Sequence, residues 1–111
     1  MKKLLTVAVL LCSISVLAQA AKKVTLTWID TLNPSGTTYN VYRATGLCSG
    51  TPAFNMIQSG VTVKTYVDST VTVGGYCYKV TAVVSGIESN GSNTVNPVVG
   101  PYEVTLSAVV Q

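Results

Sequence analysis

Beyond residue 20, apolar and polar residues alternate in short runs, with no helical periodicity. In the clearest run Val24, Leu26 and Trp28 share one face, while Thr25 and Thr27 lie on the other. Alternation at period two is typical of half-buried strands, and clusters of Gly, Pro, Asn and Ser separate the runs. The pattern predicts an all-β domain, either a sandwich or a barrel.

The alternating runs predict where the strands lie. They cover 24–28, 38–44, 54–58, 64–68, 76–84 and 92–99, with turns at 33–36 and 85–91. Among the inward-facing positions, we expect Trp28, Tyr39 and Tyr76 to anchor the core, with Trp28 as the main anchor rather than an exposed ligand-binding aromatic. A last alternating run, 102–110, follows the break at Gly100-Pro101.

Residues 1–20 have the layout of a secretory signal peptide. Lys2 and Lys3 form a basic head, an apolar run follows from 4 to 17, and Ala18-Gln19-Ala20 is a small-x-small cleavage signal. The alternative, a transmembrane anchor, needs about 20 apolar residues, more than this run supplies. We therefore predict cleavage after Ala20 and a single domain at 21–111, secreted to the extracellular space, the periplasm or the cell surface, with no membrane span.

Removal of the leader takes away most of the apparent basicity. The processed chain keeps five basic residues against four acidic ones, a net charge of +1 rather than +3. No basic patch with interleaved aromatic residues remains, so nucleic acid is not an expected partner.

Several segments, taken in order, resemble a fibronectin type III domain. Segments 25–28 and 39–43 resemble its strands B and C, segments 66–68 and 76–83 resemble strands E and F, and 86–93 resembles the F–G turn and the start of strand G. The resemblance covers about residues 24–99. It implies an immunoglobulin-like two-sheet sandwich of about seven strands, with Tyr76 as a corner tyrosine whose hydroxyl bonds to the backbone.

Cys48 and Cys77 are the cysteines left after cleavage. Export and an even count favour a disulfide between them, and two buried free thiols are the alternative. If strands C and F pair antiparallel with Thr38 opposite Val83, then Ala44 faces Cys77, and Cys48 lies just beyond in the following loop. The disulfide would tie that loop to an outward-pointing Cys77 and stabilise the fold by about 3 kcal/mol in the chain-entropy model.

Candidate catalytic chemistry is scarce. The sequence has no histidine, which removes Ser-His-Asp and Cys-His nucleophile systems and the commonest metal ligand. Asp30 and Asp68 fall beside turns, where they are expected to cap backbone N–H groups. Glu88 and Glu103 have no placement that pairs them as acid and base. We expect no enzymatic activity, no cofactor and no metal.

The resemblance instead implies a binding or adhesion module that contacts a protein or a polysaccharide. The predicted F–G turn offers Gly86, Ile87, Glu88 and Asn90 as a possible binding loop. It lacks the Arg-Gly-Asp tripeptide with which animal relatives bind integrins. The alternative function is a structural subunit that assembles through its edge strands. A solvent-facing Tyr42 with an aromatic residue on a loop favours sugar stacking, whereas an unpaired apolar terminal strand favours assembly.

The chain ends depart from the family pattern. Residues 21–23 are too few for the family's strand A at about 3.3 Å per residue. The run at 102–110, by contrast, places Tyr102, Val104, Leu106, Ala108 and Val110 on one face. We predict that it forms an extra strand in the vacancy beside 24–28. It can dock in its own chain, the arrangement we favour, or add to a neighbouring molecule.

Overall fold

A computed structural model describes residues 21–110, so the predicted leader lies outside the described residues. Over this range the chain forms seven strands in two sheets and no helix, which confirms the all-β prediction. The strands are β1 (Val24–Thr27), β2 (Thr38–Thr45), β3 (Asn55–Val61), β4 (Thr65–Asp68), β5 (Gly74–Val84), β6 (Ile87–Glu88) and β7 (Val98–Val99).

The two sheets differ in size. β1 and β4 form a two-stranded antiparallel sheet, in which Leu26 faces Tyr66. The larger sheet has the order β3-β2-β5-β6, and β7 also pairs with β5. Its central pair, β2 and β5, keeps Thr38 opposite Val83 and Ala44 opposite Cys77. This is the pairing on which the sequence argument for the disulfide was conditional.

A small apolar core fills the space between the sheets. Its buried members are Leu26, Val41, Val71, Tyr76 and Tyr78. Tyr39 is also buried, and its ring meets that of Trp28 edge-on with the centroids 5.4 Å apart. Trp28 is only partly buried and packs at the margin of the core rather than at its centre. The reason is that no strand within residues 21–110 covers the outer edge of β1.

The Tyr76 side chain is hydrogen-bonded to the backbone a few residues upstream. The backbone N–H of Thr72 donates to the Tyr76 hydroxyl at 2.9 Å, which fixes the chain entering β5. The ring lies in the core, so a single side chain supplies both apolar packing and a partner for a backbone group.

The Asp68 carboxylate joins the two sheets at one end. Asp68 closes β4 and is 2% exposed. It accepts hydrogen bonds from Arg43 Nη1 of β2 at 2.8 Å and from the Tyr78 hydroxyl of β5 at 2.7 Å. The backbone N–H and hydroxyl of Thr70 donate to its other oxygen, the local capping that the sequence predicts. Strands from both sheets therefore share one carboxylate.

The surroundings of Asp68 act on its pKa in opposite directions. Burial raises it, because desolvation disfavours the charged form. Hydrogen bonds from Tyr78, Thr70 and Arg43 outweigh this effect and lower the pKa of Asp68 to about 2. The same burial, together with the bond to the carboxylate, raises the pKa of Tyr78, so that its hydroxyl remains a donor.

The predicted disulfide between Cys48 and Cys77 is confirmed, with a Cα–Cα distance of 5.0 Å. Cys77 does not point into solvent as predicted, since it is completely buried. The loop after β2 folds over it: the Gly46 N–H donates to the Gly75 carbonyl, and the Cys48 N–H donates to Asn96 Oδ1 at 3.1 Å. The disulfide thus joins the buried Cys77 to a partly exposed Cys48 in the covering loop.

The predicted strand at 92–99 is largely wrong in its bounds. The chain does run beside β5, but two serine hydroxyls replace backbone carbonyls as acceptors. Ser89 Oγ accepts from the Ala82 N–H at 2.9 Å, and Ser92 Oγ accepts from the Val80 N–H at 3.0 Å. These side-chain bonds interrupt the regular ladder between β6 and β7.

The predicted strand at 102–110 is also wrong as an element of this chain. Residues 100–110 have no regular secondary structure, and their side chains are exposed. The intramolecular docking favoured by the sequence is not adopted. An apolar alternation is a pattern that suits a strand, but it does not supply the neighbour with which a strand pairs.

Substitution of Asp68 by Asn tests the link between the sheets. The pKa of Asp68 is lower in the folded chain than its ordinary value. The carboxylate therefore contributes fully to the unfolding free energy above about pH 4, and this contribution is lost as the pH falls towards 2. We expect Asp68→Asn to lower the unfolding free energy at pH 7 by about 2 kcal/mol, with the deficit shrinking towards pH 2. Urea unfolding measured across this pH range tests it, with Glu103→Gln as the control. A deficit that is constant with pH would contradict the assignment.

Candidate binding face and edge groove

The residues proposed as a binding loop form a tight hairpin rather than a protruding loop. Ser85 and Gly86 both have positive φ, 51° and 76°, and make a two-residue turn between β5 and β6. Glycine suits the second position, because the left-handed region costs it nothing. Ile87 and Glu88 lie in β6, and Asn90 follows it. Gly86 therefore lies in the turn, Ile87 and Glu88 in a strand and Asn90 after it, so the four predicted residues do not form one loop.

Glu88 is the member of this group with the most contacts. Its Oε2 accepts hydrogen bonds from Asn40 Nδ2 at 3.2 Å, from the Tyr42 hydroxyl and from Thr81 Oγ1. These residues belong to three adjacent strands and share the outer face of the larger sheet. All three bonds reach one oxygen, so Oε1 has no hydrogen bond within the described part of the chain.

The hydrogen bonds around Glu88 favour its charged form. Donation from Thr81, then Tyr42 and Asn40, lowers the pKa of the Glu88 carboxyl below its ordinary value. The hydrogen bond that Tyr42 donates to Glu88 also raises the pKa of the Tyr42 hydroxyl. At neutral pH the carboxylate is therefore ionised and the phenol remains protonated.

Beside Glu88 lie two aromatic rings and a lysine. Lys79 Nζ lies 5.3 Å from the centroid of the Tyr42 ring and 4.5 Å from that of Phe54. Cation–π attraction holds the ammonium group against both rings. Both rings are partly exposed. We call the surface formed by Asn40, Tyr42, Phe54, Lys79, Thr81 and Glu88 the polar–aromatic face.

Sequence reasoning found part of this face. The alternation that predicts an outward Cys77 also puts Lys79 and Thr81 on the outer side of that strand, and a solvent-facing Tyr42 is the feature that favours sugar stacking. Phe54 was missed, because it was assigned to a strand and precedes β3 instead. The signal that identifies it is its position at the end of a Gly-rich loop, next to a strand that pairs with β2.

A second feature is a groove along the outer edge of β1. Three cavities follow one another between β1 and the segment 89–99. The first is lined by Val24 with 97–99, and the second by Leu26 and Trp28 with Ser92 and Val95. The third continues past Trp28 and Ile29 to Asn90. We call this row the β1 groove.

The edge of β1 that borders the groove carries backbone groups without strand partners among the described residues. β1 pairs with β4, and the Trp28 N–H donates to the Lys64 carbonyl on that side. Because bonded residues alternate along an antiparallel strand, the N–H groups of Thr25 and Thr27 point to the groove. Trp28 Nε1 is buried and has no acceptor among residues 21–110.

The described residues hold no cluster of three or more His, Cys, Asp or Glu side chains suited to a metal.

Asp30 acts as the predicted cap: its carboxylate accepts hydrogen bonds from the backbone N–H groups of Leu32 and Asn33 and from the Tyr39 hydroxyl, the last at 2.8 Å. The hydrogen bonds, led by that of the Asn33 side chain, lower the pKa of Asp30 to about 2. Between residues 21 and 110 there is no helix of the length and hydrophobicity that membrane spanning requires.

No protein-family model matches this sequence, and none of the curated proteins matches it. The resemblance of 24–99 to the fibronectin type III pattern therefore remains a prediction that rests on those residues.

Proposed function

We propose that this chain is an exported, non-catalytic β-sandwich module of the fibronectin type III kind that binds a polysaccharide through its polar–aromatic face. The strand order supports the family assignment. β3 pairs with β2 in the larger sheet, whereas in a constant-type immunoglobulin domain the corresponding strand joins the other sheet. The Tyr76–Thr72 bond and the disulfide outside the usual B–F position support the same assignment.

The pairing of Tyr42 with Phe54 around Lys79 is the observation that carries the binding proposal. Sugars present apolar C–H faces and a rim of hydroxyl groups. Aromatic rings pack against the C–H faces, and a carboxylate such as that of Glu88 accepts hydrogen bonds from the hydroxyl groups. The free Oε1 of Glu88 is such an acceptor.

The face is also preorganised. Asn40, Thr81 and Glu88 hold one another in place across three strands, and Lys79 fixes the rings. Groups already ordered in the free protein lose little conformational entropy on binding. This arrangement favours adhesion of a rigid module to a cell-surface or extracellular glycan.

Replacement of Tyr42 by Ala tests the polysaccharide proposal. On an array of neutral and uronate-containing glycans, we expect the wild-type chain to bind a subset and Tyr42→Ala to lower the affinity at least about tenfold, through loss of the stacking surface. Tyr42→Phe keeps the ring and should retain binding. Val67→Ala, exposed on the other sheet, is the matched control. Binding unchanged in Tyr42→Ala, or binding to a protein ligand alone, would contradict this proposal.

Export is tested separately, by the mass of the protein recovered outside the cytoplasm. The basic head, apolar run and Ala18-Gln19-Ala20 signal predict that residues 1–20 are absent and that the chain starts at Ala21. Intact-mass spectrometry of that fraction distinguishes the processed chain from the full-length one. Recovery of only the full-length chain, with its cysteines reduced, would contradict export.

A further inference from the structure

We propose that residues 104–110 of one copy of this chain fill the β1 groove of a second copy as an added strand antiparallel to β1. This inference goes beyond the proposed binding function and is independent of it, since it rests on the outer edge of β1 and on residues 104–110, none of which belongs to the polar–aromatic face.

The first support is the incomplete state of the smaller sheet. β1 and β4 make a two-stranded sheet that packs on the larger one, and the outer edge of β1 has no strand partner within residues 21–110. The N–H groups of Thr25 and Thr27 point to the open side, where a strand with free carbonyls would pair with them. Trp28 Nε1, buried beside the same groove, also lacks an acceptor within residues 21–110. An incoming backbone supplies acceptors to this side.

The second support is the nature of the segment after β7. Val104, Leu106 and Val110 are about nine-tenths exposed, and with Ala108 they alternate with polar residues at strand period up to Ser107. Transfer of apolar side chains out of water lowers the free energy, so this stripe of apolar residues favours association with an apolar surface. The groove offers Leu26, Trp28 and Val95 as its lining. The segment and the groove therefore have complementary chemistry.

The third support is length. The seven residues 104–110 extend about 24 Å as a strand, and the six residues 24–29 extend about 20 Å. Tyr102 stays at its own end of the donor's groove, where Lys22 Nζ lies 3.9 Å from the ring centroid. Residue 103 then links the donor copy to the accepting copy, and residues 104–110 are long enough to pair along the whole of β1.

The fourth support is direction. The registers with β5 show that residues 87–99 run antiparallel to β5 and end beside Val24, where β1 begins. A segment that continues in this direction leaves its own molecule. It enters the next copy at the Ile29 end of the groove and runs antiparallel to β1, the more stable pairing. Entry into its own groove would require reversal at Gly100-Pro101 and a parallel pairing.

Repetition of this contact gives an open chain of molecules. The donor segment and the accepting groove are different surfaces, so each copy uses both, and the contact is head-to-tail. The ends of such an assembly each keep one unused surface. We therefore expect a concentration-dependent ladder of sizes rather than a single closed dimer.

The test uses the intact processed chain and a pair of matched variants. Leu106→Asp places a charge on the groove-facing side of the segment, whereas Thr105→Asp places the same charge on its opposite side. Light scattering after size exclusion should show oligomers for the wild type and for Thr105→Asp. For Leu106→Asp the dissociation constant should rise roughly 10- to 100-fold, leaving monomers at the same concentration.

A second arm tests the accepting edge. A labelled peptide of residues 102–111 should bind the monomeric Leu106→Asp chain. Adding Thr25→Pro should abolish peptide binding, because it removes an N–H that points to the groove, whereas Thr25→Ala should keep it. Circular dichroism confirms that each variant is folded.

Three results would overturn the proposal. One is a wild-type chain that stays monomeric at every concentration. Another is oligomers that persist unchanged in Leu106→Asp. The third is a Leu106→Asp chain that is destabilised as a monomer and does not bind the peptide, which would place the segment in its own groove. Glycan binding by monomeric Leu106→Asp reports on the polar–aromatic face alone, so the two proposals fail separately.

Discussion

The docking of a two-stranded sheet onto a five-stranded one is the constraint on which the rest of this molecule depends. The core between them is small, and polar contacts fix the smaller sheet at both of its ends. At one end Asp68 accepts hydrogen bonds from Arg43 and Tyr78, and at the other end Asp30 accepts one from the Tyr39 hydroxyl. A buried carboxylate is costly unless its lone pairs are satisfied, and here several donors satisfy those of Asp68. These contacts hold β1 in place although one of its edges has no strand partner among the described residues.

That arrangement separates two surfaces with different chemistry. The outer face of the larger sheet is covered by polar groups and rings that bond to one another, and it suits a polar ligand. Along the outer edge of β1, backbone donors have no strand partner within residues 21–110, and this edge suits another strand. The two surfaces meet at Lys79 and Thr81 of β5, which also line the groove. Substitutions away from these two residues, such as those of Tyr42 and Leu106, therefore address one surface at a time. In the proposed assembly, the rings of Tyr42 and Phe54 stay accessible on every copy.

The sequence predicted the parts of the fold that depend on local alternation. β1, β2, β4 and β5 lie within two residues of their expected ends. The predicted disulfide is present, as is the β2–β5 register on which its prediction was conditional. Features that depend on side chains meeting across the fold were not predicted. The serine hydroxyls that interrupt the ladder beside β5, and the loop that buries Cys77, are examples. The segment at 102–110 shows a further limit, since its alternation predicted a strand, whereas residues 100–110 have no regular secondary structure.

Amide hydrogen exchange along β1 tests the central claim, that a second copy completes the smaller sheet, most directly. The N–H groups of Thr25 and Thr27 point to the groove, whereas that of Leu26 points to β4 and serves as the internal reference. At a concentration that populates the assembly, Thr25 and Thr27 should exchange at least about tenfold more slowly in the wild type than in Leu106→Asp, with Leu26 alike in both. Equal and rapid exchange of Thr25 and Thr27 in the two proteins would contradict the claim.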